Sequence, residues 1–295
     1  MSLITEHVGS VDTADQPLAS TKPATKIGNP AARWFAAWWV LIPLAVFVAW
    51  AFLPSLFTGH DPITGVPADK LLAPSAEHLF GTDHLGRDIY SRVVYGARQT
   101  LLTAGLPCLV GSVVGSILGL LAGTAGRFAD TVAMRFVDIV LAVPAFLIAL
   151  ILVTATEPGP LSLGLGVGIA SIAAFARLVR TEVLRVRSRD FVQAALMSGG
   201  KYFTVLRRHI IPHIVGPVLS LLAVDLGAAI LAISGLGFLG FGSPPPTPEW
   251  GLLISEGRQY LSVAWWLTTL PGLVIVSAVM LTAVLGRAIN KAFRF

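Results

Sequence analysis

After residue 33, long and nearly uncharged apolar runs alternate with polar stretches. A helix that crosses a bilayer needs about 20 predominantly apolar residues. Six runs approach that length: 34–57, 100–125, 139–156, 161–178, 210–233 and 261–285. They predict an all-α integral membrane protein with six transmembrane helices. Trp34, Trp38 and Trp39 stand at the start of the first run, where indole rings anchor a span at the interface. Residues 1–33 are rich in Ser, Thr, Ala, Pro and Asp without apolar periodicity, which predicts a disordered tail. The first run exceeds a signal-peptide core, so it reads as a retained span. The organisation expected is a tail (1–33), a first span with a polar segment (34–97), the main transmembrane domain (98–287) carrying a polar loop at 185–208, and a short second tail (288–295).

The connections differ in character. Residues 58–98 form a long polar segment in which Asp88 is placed to cap a helix start. Residues 126–138 read as a short turn, and Glu157-Pro158-Gly159-Pro160 as a tight one. The Gly/Pro-rich stretch 234–251 is incompatible with a simple helix and predicts a re-entrant loop or short helix facing a pore. Within 100–125, Gly111, Gly115, Gly119 and Gly123 recur every fourth residue, which puts them on one face for close helix packing.

Charge decides the orientation. Only 13% of residues are charged and 55% are hydrophobic, with mean hydropathy +0.77; a soluble domain carries about 25% charged residues. The pI near 9.7 reflects basic residues gathered on a cytoplasmic face rather than a nucleic-acid surface. Arg177, Arg180, Arg185, Arg187, Arg189, Lys201, Arg207 and Arg208 crowd one loop against Glu182 and Asp190. That loop is therefore cytoplasmic, and six spans put both termini, and with them both tails, on the cytoplasmic side. The single cysteine, Cys108, can form no internal disulfide and reads as a small core residue.

Inside the basic loop, Gln193-Ala194-Ala195-Leu196-Met197 favours helix, and Gly199-Gly200 breaks it. A second helical stretch from Lys201 leads to Pro212. The paired alanines leave a flat surface, with Phe191, Leu196, Met197 and Phe203 as apolar knobs. Such a short exposed helix suits a groove on a partner.

Catalytic chemistry is sparse. Gly200-Lys201 lacks the upstream glycine and following Ser/Thr of a phosphate-binding loop, so any ATP must be hydrolysed on another polypeptide. His209 and His213 share a helical spacing but flank Pro212 with no Glu, unlike a zinc-hydrolase helix. His78, His84 and Asp83 read as turn-capping residues, with an outer ligand site as the lesser alternative. No catalytic set and no metal set is assigned. Asp225 lies inside an apolar run, where a carboxylate costs on the order of 3 kcal/mol. It either lines a translocation path, makes a structural hydrogen-bonded contact, or lies nearer the interface than the run suggests.

Gln193-Ala194-Ala195, three residues, Gly199, nine residues and then a span entrance at His209–Pro212 resemble the EAA loop of permease subunits of prokaryotic ATP-binding-cassette importers. Gln193 stands where that family has Glu, and His209 where it has Ile. The stretch His78–Arg92, the later Gly96-Ala97-Arg98, Met134-Arg135 with Asp138 and Pro144, and Gly237–Gly242 with Glu249-Trp250-Gly251 resemble the second permease subunit of dipeptide, oligopeptide and nickel importers. The resemblance implies a type I importer permease fold in the bacterial plasma membrane and no enzymatic activity in this chain. ATP and magnesium would be bound by partners. Phe191, Gln193, Ala194, Ala195, Met197, Gly199 and Gly200 would dock on an ATPase. The implied partners are a homologous second permease, two ATPase domains and an extracytoplasmic substrate-binding protein. Peptides are the implied substrate, with nickel chelates, opines and glutathione as alternatives. From a different class, a proton-coupled transporter relaying through Asp225 is the competing reading. An integral-membrane enzyme would need a catalytic constellation that the sequence does not offer.

Overall fold

The computed structural model describes residues 30–293, with side chains from Leu41 onward. The expected tail therefore lies outside the described residues up to position 29, and the side chains of Trp34, Trp38 and Trp39 lie outside them too. The described chain is helical: α1 (Pro30–Phe52), α2 (Ile89–Thr124), α3 (Arg127–Ala142), α4 (Ala145–Ala155), α5 (Pro160–Arg187), α6 (Asp190–Met197), α7 (Tyr202–Val205), α8 (Ile211–Phe238), α9 (Trp250–Gly257) and α10 (Trp266–Ala292). A π-helical turn, Leu206–Ile210, joins α7 to α8 without a break.

Several expected boundaries shift. The first long helix after the polar segment begins at Ile89 rather than residue 100, because Asp88 caps it: its Oδ1 accepts from the Ser91 amide at 2.6 Å. The turn expected at 126–138 is instead most of α3. The span expected at 139–156 is not straight, since α3 and α4 meet at 83°. Pro144 sits at the corner, where proline has no amide to continue the helical ladder. The helix after Pro160 runs on to Arg187, so Arg177, Arg180, Arg185 and Arg187 lie on α5 and not in a loop. Likewise Ser234–Phe238, expected in the Gly/Pro-rich break, finish α8. Among the described residues four helices are long and apolar enough to cross a membrane, or five counting the bent α3–α4 pair. The described apolar part of α1, Leu41–Phe52, is shorter, so the count of six is not reached.

The bundle is built on the α2–α5 contact, the most extensive in the molecule. A Cβ added at Gly115 would lie 2.4 Å from the Ile172 carbonyl oxygen, and one at Gly119 equally close to that of Ala176. Added at Gly111 or Gly123, it would meet Ser171 Cβ at 2.6 Å or Val183 Cγ1 at 2.8 Å. The four glycines thus bring two backbones together over four turns, the geometry that small-residue stripes permit in a bilayer. The main core lies toward the end of the bundle that carries residues 58–88, around Trp250, Phe47, Ile89 and Val93. A separate core of Val179, Val183, Val186, Val192, Val205, Leu206, Ile210 and Ile214 lies toward the opposite, basic end.

Candidate functional site

The two ends of the bundle carry the polar chemistry. At one, the segment before α2 folds into a polar cap. Asp83 opens it as a turn: its Oδ1 accepts from the amides of Leu85 at 2.8 Å and Arg87 at 2.9 Å. Gly81 and Gly86 take φ of 73° and 77°, and a Cβ on Gly86 would lie 1.9 Å from the Val66 carbonyl oxygen. Glycine is required there by both conformation and space. Asp83 Oδ2 then accepts from Arg87 Nε at 2.6 Å and from Arg92 at 2.9 Å, and Arg92 donates onward to Glu256 of α9 at 2.7 Å. Arg87 also reaches Glu256, at 3.3 Å. The Arg92 side chain is 0% exposed. Two buried cations, the buried Asp83 and the partly exposed Glu256 therefore neutralise one another and tie the cap to α9.

Burial opposes ionisation of Asp83, but the Arg87 and Leu85 amides and the Arg87 guanidinium outweigh it and hold the carboxyl below its usual range. Glu249, just before α9, behaves oppositely. It is buried with one backbone donor, Ser243, at 2.6 Å, and burial raises its pKa. Its carboxylate fills a cradle of Gly237 and Gly242, where an added Cβ would sit 2.8 and 2.5 Å from its oxygens. Trp250 seals the joint, its indole donating to the Val93 carbonyl at 2.9 Å and its amide to Thr100 at 3.2 Å.

At the other end α5 projects past the bundle. Two of its arginines are tied to α3: Arg180 makes a two-pronged bond to Asp130, 2.6 Å on each prong, and Arg177 pairs with Asp138. Arg185 pairs with Glu182 at 2.5 Å. Among the described residues Arg187, Arg189, Lys201, Arg207 and Arg208 enter no ion pair.

The helix α6 crosses this end and stops at Gly199, whose φ is 82°. The Gly200 amide donates to Ala195 and the Gly199 amide to Leu196, both at 3.1 Å, which is the double bond of a Schellman cap. Val192 and Val205 turn inward to the basic-end core. Met197 and Phe203 turn outward, 86% and 73% exposed, with Gln193, Ala194 and Gly199 on the same open surface. Phe191 instead lies over the His213 ring of α8, centroids 5.3 Å apart. Gln193 Nε2 donates to the Arg187 carbonyl at 3.1 Å, a bond that a carboxylate in its place could not make. A cavity of about 640 Å³ opens behind α6, bounded by Glu182, Arg185, Arg189, Phe191, His213 and Asn290 among others.

The structure does not bring Asp225 to either end. It is half-buried in α8 and accepts from Ser171 of α5 at 2.6 Å, and Ser171 lies 3.9 Å from Cys108 of α2. The carboxylate thus bonds across helices where three of them meet. The ion network is what sequence reasoning misses. Asp83 and His84 read as turn residues, and nothing in the spacing ties Arg92 to Glu256, 164 positions away. The density of charge in Asp83, Arg87, Asp88 and Arg92, all just ahead of an apolar run, is the signal that could have found it.

Residues 115–295 match the family described as the binding-protein-dependent transport system inner membrane component. A dipeptide transport system permease protein of Alkalihalophilus pseudofirmus is 36% identical over 85% of this chain and 83% of its own length. A probable D,D-dipeptide transport system permease of Escherichia coli is 37% identical, covering 79% and 76%. A di/tripeptide transport system permease of Pseudomonas aeruginosa is 36% identical, covering 77% and 75%. In three dimensions the chain resembles an inward-facing structure of the MetNI methionine ABC transporter, with TM-score 0.56 and 16% identity over 70% of this chain and 98% of that one. This last likeness concerns the fold.

Proposed function

The chain belongs to the binding-protein-dependent transport system inner membrane component family, and from that premise we propose that it is the peptide-translocating permease subunit of an ATP-driven importer. It is a multi-pass membrane component and not itself an enzyme. Short peptides are the substrate class this reading favours, because relatives named for dipeptide and di/tripeptide transport align over most of the chain. The basic end faces the cytoplasm, as the positive-inside preference requires, and the polar cap faces out. A second permease, two ATPase domains and an external binding protein complete the machine; ATP and magnesium reside on the ATPases.

One observation carries the coupling role. The surface of α6 is exposed and apolar at its tip, yet its root is locked into a core shared with α5 and α8. An ATPase that grips Met197, Phe203 and the Ala194 face moves a body that cannot yield locally. Val192 and Phe191 press on α5 and α8, and the helix from Tyr202 to Phe238 is continuous. Displacement of α6 therefore becomes tilt of α8. Asp225 in this scheme is a brace between helices, and its substitution by Asn should spare substrate selectivity.

The test is reconstitution with the cognate partner subunits. Ala194→Trp and Met197→Glu should reduce co-purification of the ATPases and lower ATP-dependent dipeptide uptake at least about tenfold, while the permease remains folded. Undiminished association in both variants removes α6 as the docking element. Uptake that follows a proton gradient without nucleotide removes the importer reading altogether.

A further inference from the structure

The first turn of α2 gathers three metal-binding side chains whose capacity the helix cap uses only in part. Asp88 Oδ1 is committed to the Ser91 amide, but Oδ2 faces His78 Nδ1 at 2.9 Å. The His78 ring lies beside that of His60, with centroids 5.2 Å apart and planes inclined by 39°. One ligand atom from each of His60, His78 and Asp88 lies within 4.8 Å of the other two. His78 and Asp88 are buried and His60 is exposed, so the group has a fixed floor and a wall open to solvent.

The donors are also held in place from behind. The His60 amide donates to Thr58 Oγ1 at 3.2 Å, and the Thr58 and Ser91 hydroxyls share a hydrogen bond. Ser91 is the residue whose amide fixes Asp88. The backbone at His78 is pinned by Ser75, whose Oγ accepts the His78 amide at 3.1 Å and whose own amide donates to the His78 carbonyl at 2.9 Å. Three segments of the loop before α2, 18 and 10 positions apart, thus present two imidazoles and a carboxylate on a backbone already bonded in place. Of these bonds, that of the Ser91 amide to Asp88 Oδ1 holds a ligand side chain directly, the kind of outer support that orients the ligands of metal sites.

We infer that His60, His78 and Asp88 form a binding site for a divalent first-row transition ion, with water completing its shell. Imidazole and carboxylate together suit zinc, cobalt and nickel rather than calcium or magnesium. Bonds of about 2.0–2.1 Å to two atoms 2.9 Å apart subtend roughly 90°, the angle between adjacent ligands of an octahedral shell. The ion takes the place of the proton between His78 and Asp88, and His60 closes a third position by a small swing of its exposed side chain. Occupancy clips the loop around His60 to the start of α2, directly beside the buried ion network. The inference rests on these three residues and is independent of the transport reading.

The full chain, purified through a tag without histidine and kept in detergent, is titrated with Co²⁺ by calorimetry and visible absorption. One Co²⁺ per chain is expected. His60→Ala removes only the exposed wall and should weaken binding at least about tenfold. His78→Asn keeps a hydrogen-bonding group against Asp88 and should weaken it as much or more. The His209→Ala/His213→Ala double variant, altered at the opposite end, should bind as the parent does. Zn²⁺ should slow amide exchange over residues 58–91 in the parent and not in His60→Ala. Binding of less than one ion per chain, unchanged affinity in His60→Ala, or loss confined to the His209/His213 variant each overturns the site.

Discussion

The polar cap and the basic end contain similar residue types and treat them oppositely. In the cap, Asp83, Arg87 and Arg92 are almost fully withdrawn from water and pair with one another and with Glu256 through Arg92 Nη1, while Arg92 Nε and Nη2 have no hydrogen-bond partner among the described residues. At the basic end, arginines and a lysine stand in solvent beside Met197 and Phe203, apolar side chains that none of the described residues covers. The ion pairs of the cap lie within one polypeptide. The basic end is packed as far as its root, and its surface stays open among the described residues. The difference teaches where stability and function are stored: a buried charge is costly when its partner is lost, whereas an exposed charge or knob is nearly neutral to the fold.

The sharpest way to break this contrast is to remove Arg92. Arg92→Met takes one of two cations from the buried Asp83 and the partly exposed Glu256 and should cost about 3 kcal/mol, read as a fall in unfolding midpoint in detergent. Equal stability of this variant and the parent would mean the cap is not the fixed end. Next in size is the rod joining the two ends. Gly119→Leu forces side-chain atoms onto the Ala176 backbone and should cost at least about 1–3 kcal/mol. Gly105→Ala, whose nearest foreign atom would be Leu226 Cδ1 at 3.9 Å, should change little in the same assay.

Acidity sharpens the contrast within the cap. Asp83 has its pKa lowered by folding. Its contribution is present above the unfolded value of about 3.9 and is lost as pH falls through the still lower folded value. Glu249 has its pKa raised. The folded state therefore favours its protonated form, and stability is lost as pH rises from about 4.3 through the folded value. Unfolding midpoints across pH should rise and then decline. Asp83→Asn should flatten the acid limb, and Glu249→Gln the upper one. The smallest effect lies at the basic end, where Met197→Ser should move stability by no more than about 0.5 kcal/mol. A large loss there would show that the knob is already part of the core.

Much of the candidate site is legible in the sequence. The break after Met197 follows from Gly199-Gly200, because the terminating position needs positive φ. The α6 surface is legible only in part: Ala194, Met197 and Phe203 lie open, but Ala195 and Leu196 pack half-buried against the basic-end core and Phe191 lies on His213. The cap of α2 follows from Asp88. The reach of α5 to Arg187 is not legible. Charged residues end an apolar run, but they do not end a helix, and Arg177 and Arg180 find carboxylates on α3. The bend at Pro144 escapes for a related reason: hydropathy records how apolar a segment is and not whether it is straight.

By itself the sequence determined that this is a membrane helix bundle, which loop is basic, where the glycines form a stripe, and that a short helix is presented between two spans. These are properties of local composition and period, and solvent preference enforces them wherever the rest of the chain lies. Only the tertiary structure decided that Arg92 pairs with Glu256, that Asp225 bonds to Ser171, and that His60 meets His78 and Asp88. Each of these joins residues from different parts of the chain. The physical reason is that ion pairs and hydrogen bonds act over a few ångströms, so their partners are chosen by packing and not by spacing along the chain.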